Sequence, residues 1–404
     1  MSAPPFATAT RPGPLRGVVV GAGSLGPYWA LELLESPDTE LVGWVDLDGS
    51  RARAEADAKG LATLPTGASV ERMLGEQEAD FVVNVTAPAA HHAVTLAALA
   101  AGVPVLTEKP LAPTLPEAVE MVAAADRAGL LLMVSQNRRY MPSLAAFRDT
   151  VARLGPLSSL TCDFYIAHRE HAAPFLLTFP QPLLLDMAIH LFDGARAITG
   201  ADPVSVYCES WNPPHSWFGG PAAASAVFQM SGGVRFSFDG DWSAQGFQTS
   251  WTGSWRAIGE HGSAVWDGKG APRVEAAAGT GITAVTPVAE RRDPSRFQGL
   301  EASLADFVAA LRTGRVPAGE CHDNLASLAM CHAAVQSAAT GVPVPVDAFG
   351  VADGVTAPPP LRRSAARGAG RRARRPPARA DTRSRRCGWA PAARAAGTPR
   401  RRAG

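Results

Sequence analysis

Lys109 and the pair Asp186 and His190 are the residues of this sequence best suited to moving a proton. Lys109 ends a predicted buried strand and precedes Pro110, and proline disfavours helix at the residue before it. Asp186 and His190 are four residues apart in a predicted helix over residues 182–198, so they share one face of that helix. Side chains of these types accept and donate the alcohol proton in hydride-transfer enzymes.

Each of these residues also has a plainer interpretation. A lysine in a partly desolvated site would have a lowered pKa, whereas a surface lysine would pair with Glu108. The chain has only three lysines, which favours the functional interpretation of Lys109. A neighbouring carboxylate would orient the His190 ring and raise its pKa. Alternatively, Asp186 is a helix cap and His190 a core histidine, and the spacing alone does not decide.

A glycine-rich loop predicts the cofactor. The segment GAGSLG over residues 21–26 has the form G-x-G-x-x-G, and it lies between a predicted strand and a predicted helix. In such a loop the first glycine makes a tight turn, the second lets the backbone approach a pyrophosphate, and the third packs helix against strand. Free N–H groups at the helix N-terminus complete the phosphate site. The predicted contacts here are Gly21, Gly23, Ser24, Leu25 and Gly26.

The residue expected to choose between NAD and NADP is Asp46. It follows Gly26 by twenty residues and ends the second predicted strand, where a carboxylate binds ribose hydroxyls and repels a 2′-phosphate. Arg51 or Arg53 could still accept that phosphate. We therefore expect NAD, with NADP possible.

Further cofactor contacts are expected at the same sheet edge, because ligands of open α/β sheets bind at the carboxyl ends of the strands. These residues are Thr86, Pro88, His92, Glu108, Lys109 and Arg139. Two of them have alternatives. His92 could face water at the start of its helix, and Arg139 could form an interdomain salt bridge.

The predicted elements divide the chain into two domains between two terminal segments. Strands alternate with helices over residues 15–136, which is typical of a doubly wound parallel (Rossmann) sheet. Residues 137–349 combine alternating, mostly antiparallel strands with helices, an α+β pattern. Residues 1–14 are rich in Pro, Ala and Thr and are predicted to be disordered, as is the Arg-rich tail 350–404.

Charge and cysteine content exclude several classes of protein. Residues 355–404 hold fifteen Arg and one acid, a charge of +14, so residues 1–354 carry 1 − 14 = −13. The tail lacks a recognisable nucleic-acid module. The alternatives are a solvated tail and translation past the natural end of the gene.

Five scattered cysteines favour reduced thiols in a cytoplasmic protein, and no apolar run is long enough to span a membrane. Neither Cys321-His322 nor Cys331-His332 has the spacing of a closed zinc site, so no metal is predicted.

With these residues in place, the sequence resembles the glucose–fructose oxidoreductase, inositol dehydrogenase and MocA (Gfo/Idh/MocA) family. The matching segments include GAGSLG, AGVPVLTEKPLA, QNRRYMP and LLLDMAIHLFDGARAITG. The resemblance implies that a Rossmann domain binds NAD(P) and that an open-faced β-sheet domain holds the substrate. Lys109, Asp186 and His190 would then surround the reacting carbon. It also implies a cis Lys109-Pro110 peptide and a homodimer or homotetramer formed through the open sheet.

The sequence therefore predicts an NAD(P)-dependent oxidoreductase acting on a secondary alcohol or ketone of a sugar, inositol or related polyol. The family often has a glycine-rich turn before the helix of Asp186, whereas this chain has Gln-Pro-Leu-Leu-Leu at residues 181–185, so the substrate itself does not carry over. Two alternatives remain. One is a glycosidase of the same fold that uses tightly held NAD, and the other is a non-catalytic dinucleotide-sensing protein.

Overall fold

A computed structural model describes residues 5–169, 174–288 and 298–346, and its first sheet is the predicted Rossmann sheet. Its six strands are all parallel, in the order β3-β2-β1-β4-β5-β6. Strands β4 and β5 are buried at every position, because helices cover both faces of a doubly wound sheet. The strands are β1 (Leu15–Val20), β2 (Thr39–Val45), β3 (Thr66–Gly67), β4 (Phe81–Asn84), β5 (Val105–Glu108) and β6 (Leu132–Ser135).

Five helices connect these strands. Polar caps explain where several of them begin: Thr114 accepts a hydrogen bond from the Glu117 backbone N–H before α5, and Gly129 ends that helix in the left-handed conformation. The helices are α1 (Gly26–Glu35), α2 (Gly49–Ala58), α3 (Val70–Glu76), α4 (Pro88–Ala100) and α5 (Leu115–Ala128).

The second sheet has eight strands in the order β13-β12-β11-β7-β10-β9-β8-β14. Strands β7 and β10 pair in parallel and the other neighbours are antiparallel, as the sequence predicted for most of the sheet. The strands are β7 (Leu157–Tyr165), β8 (Pro203–Trp211), β9 (Ala223–Met230), β10 (Arg235–Asp241), β11 (Ser254–Gly259), β12 (Gly262–Trp266), β13 (Arg273–Ala276) and β14 (Val344–Pro345).

Burial alternates along the central strands of this sheet, so one face is packed and the other is open. Four more helices follow the first sheet in the chain: α6 (Pro142–Val151), α7 (Ala188–Thr199), α8 (Leu300–Thr313) and α9 (Cys321–Thr340). Helix α9 packs against β8 and also contacts α5 and β6, so it joins the two sheets. None of the helices in the described residues is long and apolar enough to cross a bilayer.

Helix α8 returns to the first sheet although it is distant in sequence. The rings of Phe307 and Phe81 pack edge to face with their centroids 5.6 Å apart. The predicted division at residues 136 and 137 therefore separates α8 from the sheet on which it packs. Sequence periodicity did not reveal this return, because an apolar helix face can cover either sheet.

The predicted disorder of residues 1–14 is wrong for residues 5–14. Phe6 is 7% exposed, and the backbone N–H groups of Ala7 and Ala9 donate to the carbonyls of Gly129 and Leu311. One buried aromatic side chain and these backbone bonds anchor a segment whose composition looked unstructured. Residues 1–4 and the Arg-rich tail 350–404 lie outside the described residues.

The predicted helix over residues 182–198 begins differently from the prediction. Residues Pro182–Met187 form a π-helical turn, and the α-helix α7 starts only at Ala188. Asp186 therefore lies in the π turn and His190 in the first turn of the α-helix. The α-helical spacing assumed for the two residues does not hold across this junction.

Candidate active site

Lys109, which follows β5 of the first sheet, contacts Asp186, which lies in the second domain. The Lys109 Nζ donates to the Asp186 backbone carbonyl at 3.0 Å and to its Oδ1 at 3.3 Å. The side chains are 17% and 19% exposed, so the pair is largely enclosed. Lys109 follows the last residue of β5, and the Lys109-Pro110 peptide is cis, as the resemblance implied. The alternative in which Lys109 pairs with Glu108 does not describe this geometry.

Glu108 has a different partner. Its Oε1 accepts from the Trp29 indole N–H at 2.9 Å, and its Oε2 accepts from the Lys109 backbone N–H at 3.2 Å. Burial raises the pKa of Glu108, against the opposing effects of these hydrogen bonds and of the Lys109 charge. The carboxyl group thus holds the start of the turn after β5, and it remains a predicted cofactor contact.

His190 belongs to the same group of residues, but its pKa moves in the direction opposite to the prediction. Burial, followed by the positive charges of Arg138 and Lys109, holds the pKa of His190 well below its ordinary value. Burial outweighs the expected rise, and the Asp186 carboxylate that was expected to cause it contacts the Lys109 Nζ. The Nδ1 atom of His190 is enclosed, and none of the described residues forms a hydrogen bond with it. This histidine is neutral at pH 7.

The glycine loop has the geometry that a pyrophosphate site needs. Gly21 has a φ of 114°, and a Cβ there would lie 2.6 Å from the Val85 carbonyl oxygen. A Cβ at Gly26 would collide with the Gly21 carbonyl oxygen, so the third glycine packs the helix against the loop. A Cβ at Gly23 would meet no atom within 4 Å. The space above Gly23 is therefore open to a ligand, at the start of α1.

Asp46 closes this loop from the end of β2. Its Oδ2 accepts from the Ala22 backbone N–H at 2.7 Å, and its Oδ1 accepts from the Asp48 N–H at 3.0 Å. Arg53 pairs with Asp57 at 2.8 Å, so it is already engaged. The backbone N–H groups at the start of α1 and the open space above Gly23 fit a dinucleotide. Gly21, Gly23 and Gly26 would hold its pyrophosphate, and Asp46 would bind its ribose.

The sequence singled out His92, near the start of α4, as a cofactor contact. It is His91, however, whose side chain contacts the segments that follow β4 and β5. The His91 Nδ1 lies 2.7 Å from the Pro110 carbonyl oxygen, and its Nε2 lies 3.1 Å from that of Thr86. His92 instead places its Nε2 2.9 Å from the Glu120 carboxylate. His91 therefore ties α4 to the cis-proline turn, and the proposed cofactor contact of His92 loses its geometric support.

Two more predicted cofactor contacts, Thr86 and Pro88, lie between β4 and the first turn of α4. The Thr86 hydroxyl donates to the Asn84 Oδ1 at 2.7 Å, which fixes its side chain. Pro88 occupies the first turn of α4, where its missing N–H has no cost. Both remain predicted cofactor contacts.

Arg139 makes a salt bridge, as in the alternative that the sequence left open, but its partners Asp193 and Asp323 belong with it to the predicted second domain. Its guanidinium donates twice to the Asp193 carboxylate, each time at 2.7 Å, and also contacts Asp323 at 2.8 Å. Asp193 is 2% exposed, so this is a buried structural pair between the 3₁₀ turn after β6 and α7. Sequence spacing could not reveal the pairing because 54 residues separate the two side chains.

Arg138 was not among the predicted site residues, yet it lies beside the catalytic candidates. Its Nη2 lies 3.8 Å from the Met187 sulfur, and its charge acts on His190 more strongly than that of Lys109. Burial lowers the pKa of Arg138 to about 9, so the group stays protonated at pH 7.

One cluster in the described residues could hold a metal, at the start of α9. The ligand atoms of Glu320, Cys321 and His322 lie within 4.8 Å of one another. They also hydrogen-bond among themselves, with the Glu320 Oε1 2.6 Å from the His322 Nδ1 and 3.0 Å from the Cys321 sulfur. These bonds satisfy the cluster without an ion.

Comparison with known proteins agrees with this architecture. Residues 15–136 match the model of the oxidoreductase family with an NAD-binding Rossmann fold, and residues 151–265 match the GFO/IDH/MocA C-terminal domain. The chain is 28% identical over 341 residues to a 1,5-anhydro-D-fructose reductase of Ensifer adhaerens, covering 80% of this chain and 96% of that protein. It is 27% identical over 353 residues to inositol 2-dehydrogenase 4 of Saccharopolyspora erythraea, covering 82% and 96%.

A solved structure shows the same fold at lower identity. It is an oxidoreductase from Agrobacterium radiobacter in complex with NAD+, L-tartaric acid and magnesium, with a TM-score of 0.76, 21% identity, and coverage of 83% of this chain and 99% of that one. The two matched domains, in this order around the glycine loop and the Lys109 turn, show that the chain belongs to the Gfo/Idh/MocA family of NAD-binding oxidoreductases.

Proposed function

We propose that this protein is an NAD-dependent dehydrogenase that oxidises a secondary alcohol of a sugar, an inositol or a related polyol, or catalyses the reverse reduction. The observation that carries the proposal is the contact between the Lys109 ammonium and Asp186, beside an uncharged His190. This contact unites a residue of the cofactor-binding sheet with the helix of the second domain. The curated relatives named for anhydrofructose and inositol support the substrate class.

The three side chains have complementary roles in this proposal. When bound, NAD supplies the carbon that accepts or returns a hydride. His190 accepts the alcohol proton at an imidazole nitrogen, because its lowered pKa keeps it neutral at pH 7. Lys109 donates a hydrogen bond to the same alcohol oxygen and stabilises its developing negative charge.

Asp186 is the positioning residue. Its backbone carbonyl and carboxylate both accept from the Lys109 Nζ, so they fix where the ammonium points. The carbonyl belongs to the π turn, whose hydrogen-bond pattern differs from that of an α-helix. The sequence assigned the proton to either His190 or Lys109, and the low pKa of His190 favours the histidine.

The preference for NAD over NADP rests on Asp46. Its carboxylate lies at the ribose end of the glycine loop, where it would repel a 2′-phosphate. The engagement of Arg53 by Asp57 weakens one of the two ways in which the chain could bind that phosphate. Arg51, which is exposed, is the other.

We also propose that the protein works in the cytoplasm as a homo-oligomer assembled through the open face of the second sheet. Tyr207 and Val227 are opposite one another on β8 and β9 and are 40% and 45% exposed, and Trp211 is 48% exposed. Neighbouring apolar side chains on an exposed sheet face favour association. Light scattering of the protein and of the variant Val227→Asp tests this, and a monomeric parent protein would contradict it.

The catalytic proposal is tested with Lys109→Met and His190→Asn. Each variant is expected to lose roughly 100- to 10,000-fold in kcat with the best polyol, because each removes a proton-transfer or charge-stabilising group. NAD affinity, measured by calorimetry, should change little in His190→Asn, whereas Lys109→Met also removes a predicted cofactor contact. The matched control is Lys269→Met, an exposed lysine of the second domain, which should behave like the parent protein. Near-normal turnover in both active-site variants would overturn the mechanism.

A further inference from the structure

Arg138 is a charged side chain beside the proposed active site, and it has no counter-ion in the part of the chain that the structure describes. Within that part, its enclosed Nη1 has no hydrogen-bond partner, and its Nη2 lies 3.8 Å from the Met187 sulfur. Within residues 5–169, 174–288 and 298–346, no carboxylate forms a salt bridge with it. The Cys162 thiol would raise the pKa of Arg138 if it were ionised. Burial raises the pKa of that thiol, however, so it is uncharged.

Other enclosed arginines of this fold show what a structural role looks like. Arg139, the next residue, donates to Asp193 and also contacts Asp323. Arg196, which is 7% exposed, is bonded to Asp202 and Asp323. A buried guanidinium is costly unless it is paired, and both of these are. Arg138 therefore lacks the partner that its neighbours have.

The position of Arg138 indicates where a partner would lie. Arg138 and Lys109 both carry positive charges that lower the pKa of His190. Asp186 offsets Lys109 through their contact at 3.3 Å, while Arg138 is not offset. The group of Lys109, Asp186, His190 and Arg138 thus has one positive charge in excess, next to the imidazole proposed to accept the alcohol proton.

We propose that Arg138 binds a carboxylate of the substrate, so that the enzyme acts on a sugar acid rather than on a neutral polyol. This inference rests on the proposed dehydrogenase function and narrows its substrate class. The planar guanidinium can donate two parallel hydrogen bonds to a carboxylate. A carboxylate carries the single negative charge that the site lacks. A phosphate ester carries nearly two and would leave excess negative charge close to Asp186.

The test compares matched sugars that differ in one group. D-glucuronate and D-glucose form one pair, D-galacturonate and D-galactose a second, and glucose 6-phosphate is the phosphate arm, each with saturating NAD. The acid of each pair is expected to have the higher kcat/KM, by roughly 10- to 100-fold, which is the usual range for one hydrogen-bonded charge. Arg138→Gln should remove that preference by raising KM for the acid, so the acid-to-neutral ratio of kcat/KM is compared within each protein and any change in kcat common to both sugars cancels.

Controls separate this inference from the proposed function. Arg138→Lys should keep part of the preference because it keeps the charge but loses the paired hydrogen bonds. Arg148→Gln, which changes an arginine that is 45% exposed and paired with Asp149, should retain all of it. Calorimetric binding of glucuronate and glucose to the NAD-loaded protein gives a readout that requires no turnover.

The outcomes are distinct. Equal or better turnover and binding of the neutral sugars, or a preference that persists in Arg138→Gln, overturns the carboxylate site while NADH formation still supports the dehydrogenase. Selective use of glucose 6-phosphate overturns the choice of carboxylate. If glucuronate binds in an Arg138-dependent manner but no sugar reduces NAD, the carboxylate site stands and the proposed dehydrogenase function fails. Absence of selective binding overturns the site.

Discussion

Substituting alanine at two glycines of the same loop should separate cofactor binding from folding. Gly23→Ala adds a methyl group that meets no protein atom within 4 Å, and Gly23 does not have a positive φ. Gly26→Ala adds the same group against the Gly21 carbonyl oxygen, where the backbone must move. The two variants are chemically identical changes three residues apart. They differ only in what occupies the added volume.

The expected magnitudes follow from that geometry. Gly23→Ala should leave the free energy of unfolding of the NAD-free protein unchanged or raise it by roughly 0.5 kcal/mol, since alanine restricts the unfolded chain. It should weaken NAD binding at least about 10-fold, a loss of about 1.4 kcal/mol, because the methyl group occupies the space of the pyrophosphate. Gly26→Ala should cost about 1–3 kcal/mol of stability through overpacking, offset by at most about 1 kcal/mol of helix propensity.

Urea unfolding of the NAD-free protein and calorimetric titration with NAD measure the two effects separately. Gly75→Ala, an exposed glycine of α3 with open space around its Cβ position, is the control for helix propensity. Retention of NAD affinity within twofold in Gly23→Ala would refute a pyrophosphate site over Gly23. Undiminished stability in Gly26→Ala would refute the close packing of α1 on the loop.

Three further predictions concern other residues. Arg139→Gln should lower the free energy of unfolding by roughly 3–5 kcal/mol in urea titrations, because it leaves the buried Asp193 carboxylate without its main partner, while NAD affinity per folded molecule stays constant. Burial alone would lower the pKa of His322, but the hydrogen bond to Glu320 and nearby carboxylates outweigh it and raise that pKa. The resulting stability is fully present below the ordinary histidine pKa and is lost as pH rises through the raised one, so unfolding measured across this range should lose that pH dependence in His322→Gln. Asp46→Ser should raise the kcat/KM ratio of NADP over NAD by roughly 10-fold or more, because it removes the charge that repels a 2′-phosphate.

The sequence predicted two kinds of strand. Strands buried on both faces are apolar runs, and strands buried on one face alternate between apolar and polar residues. The apolar runs of β1, β4 and β5 and the spacing of their helices predicted the parallel sheet, and alternation predicted the second sheet. The glycine loop was also predictable, because the spacing G-x-G-x-x-G between a strand and a helix is a local signature. These patterns lie within a few residues of one another, so a single sequence contains them.

Features that depend on distant contacts could not be predicted. The N–H groups of Ala7 and Ala9 bond to Gly129 and Leu311, more than a hundred residues away, and α8 packs on a sheet formed by a much earlier part of the chain. The lowered pKa of His190 has the same origin. Its largest cause is burial, followed by the charges of Arg138 and Lys109, which lie 52 and 81 residues away in the sequence.

The adjacent residues Arg138 and Arg139 show the limit within the site. The two are identical in type, and the segment NRRY gives no reason to prefer one. The sequence favoured Arg139 as a cofactor contact, yet that residue forms the buried pair with Asp193, and Arg138 has no counter-ion among the described residues. Which arginine is paired depends on the orientation of one 3₁₀ turn against α7, which only the folded structure specifies.

The most direct measurement of the central claim is the stoichiometry of hydride transfer. The parent protein is incubated with NAD and each sugar, sugar acid and inositol of a panel, and reduced nicotinamide and oxidised product are both quantified. The proposed dehydrogenase forms one NADH for each alcohol oxidised, and His190→Asn lowers both in parallel. Cleavage of a p-nitrophenyl glycoside added to the panel, without net NADH, would instead indicate the glycosidase alternative, and an absence of both oxidised product and NADH across the panel would contradict the account.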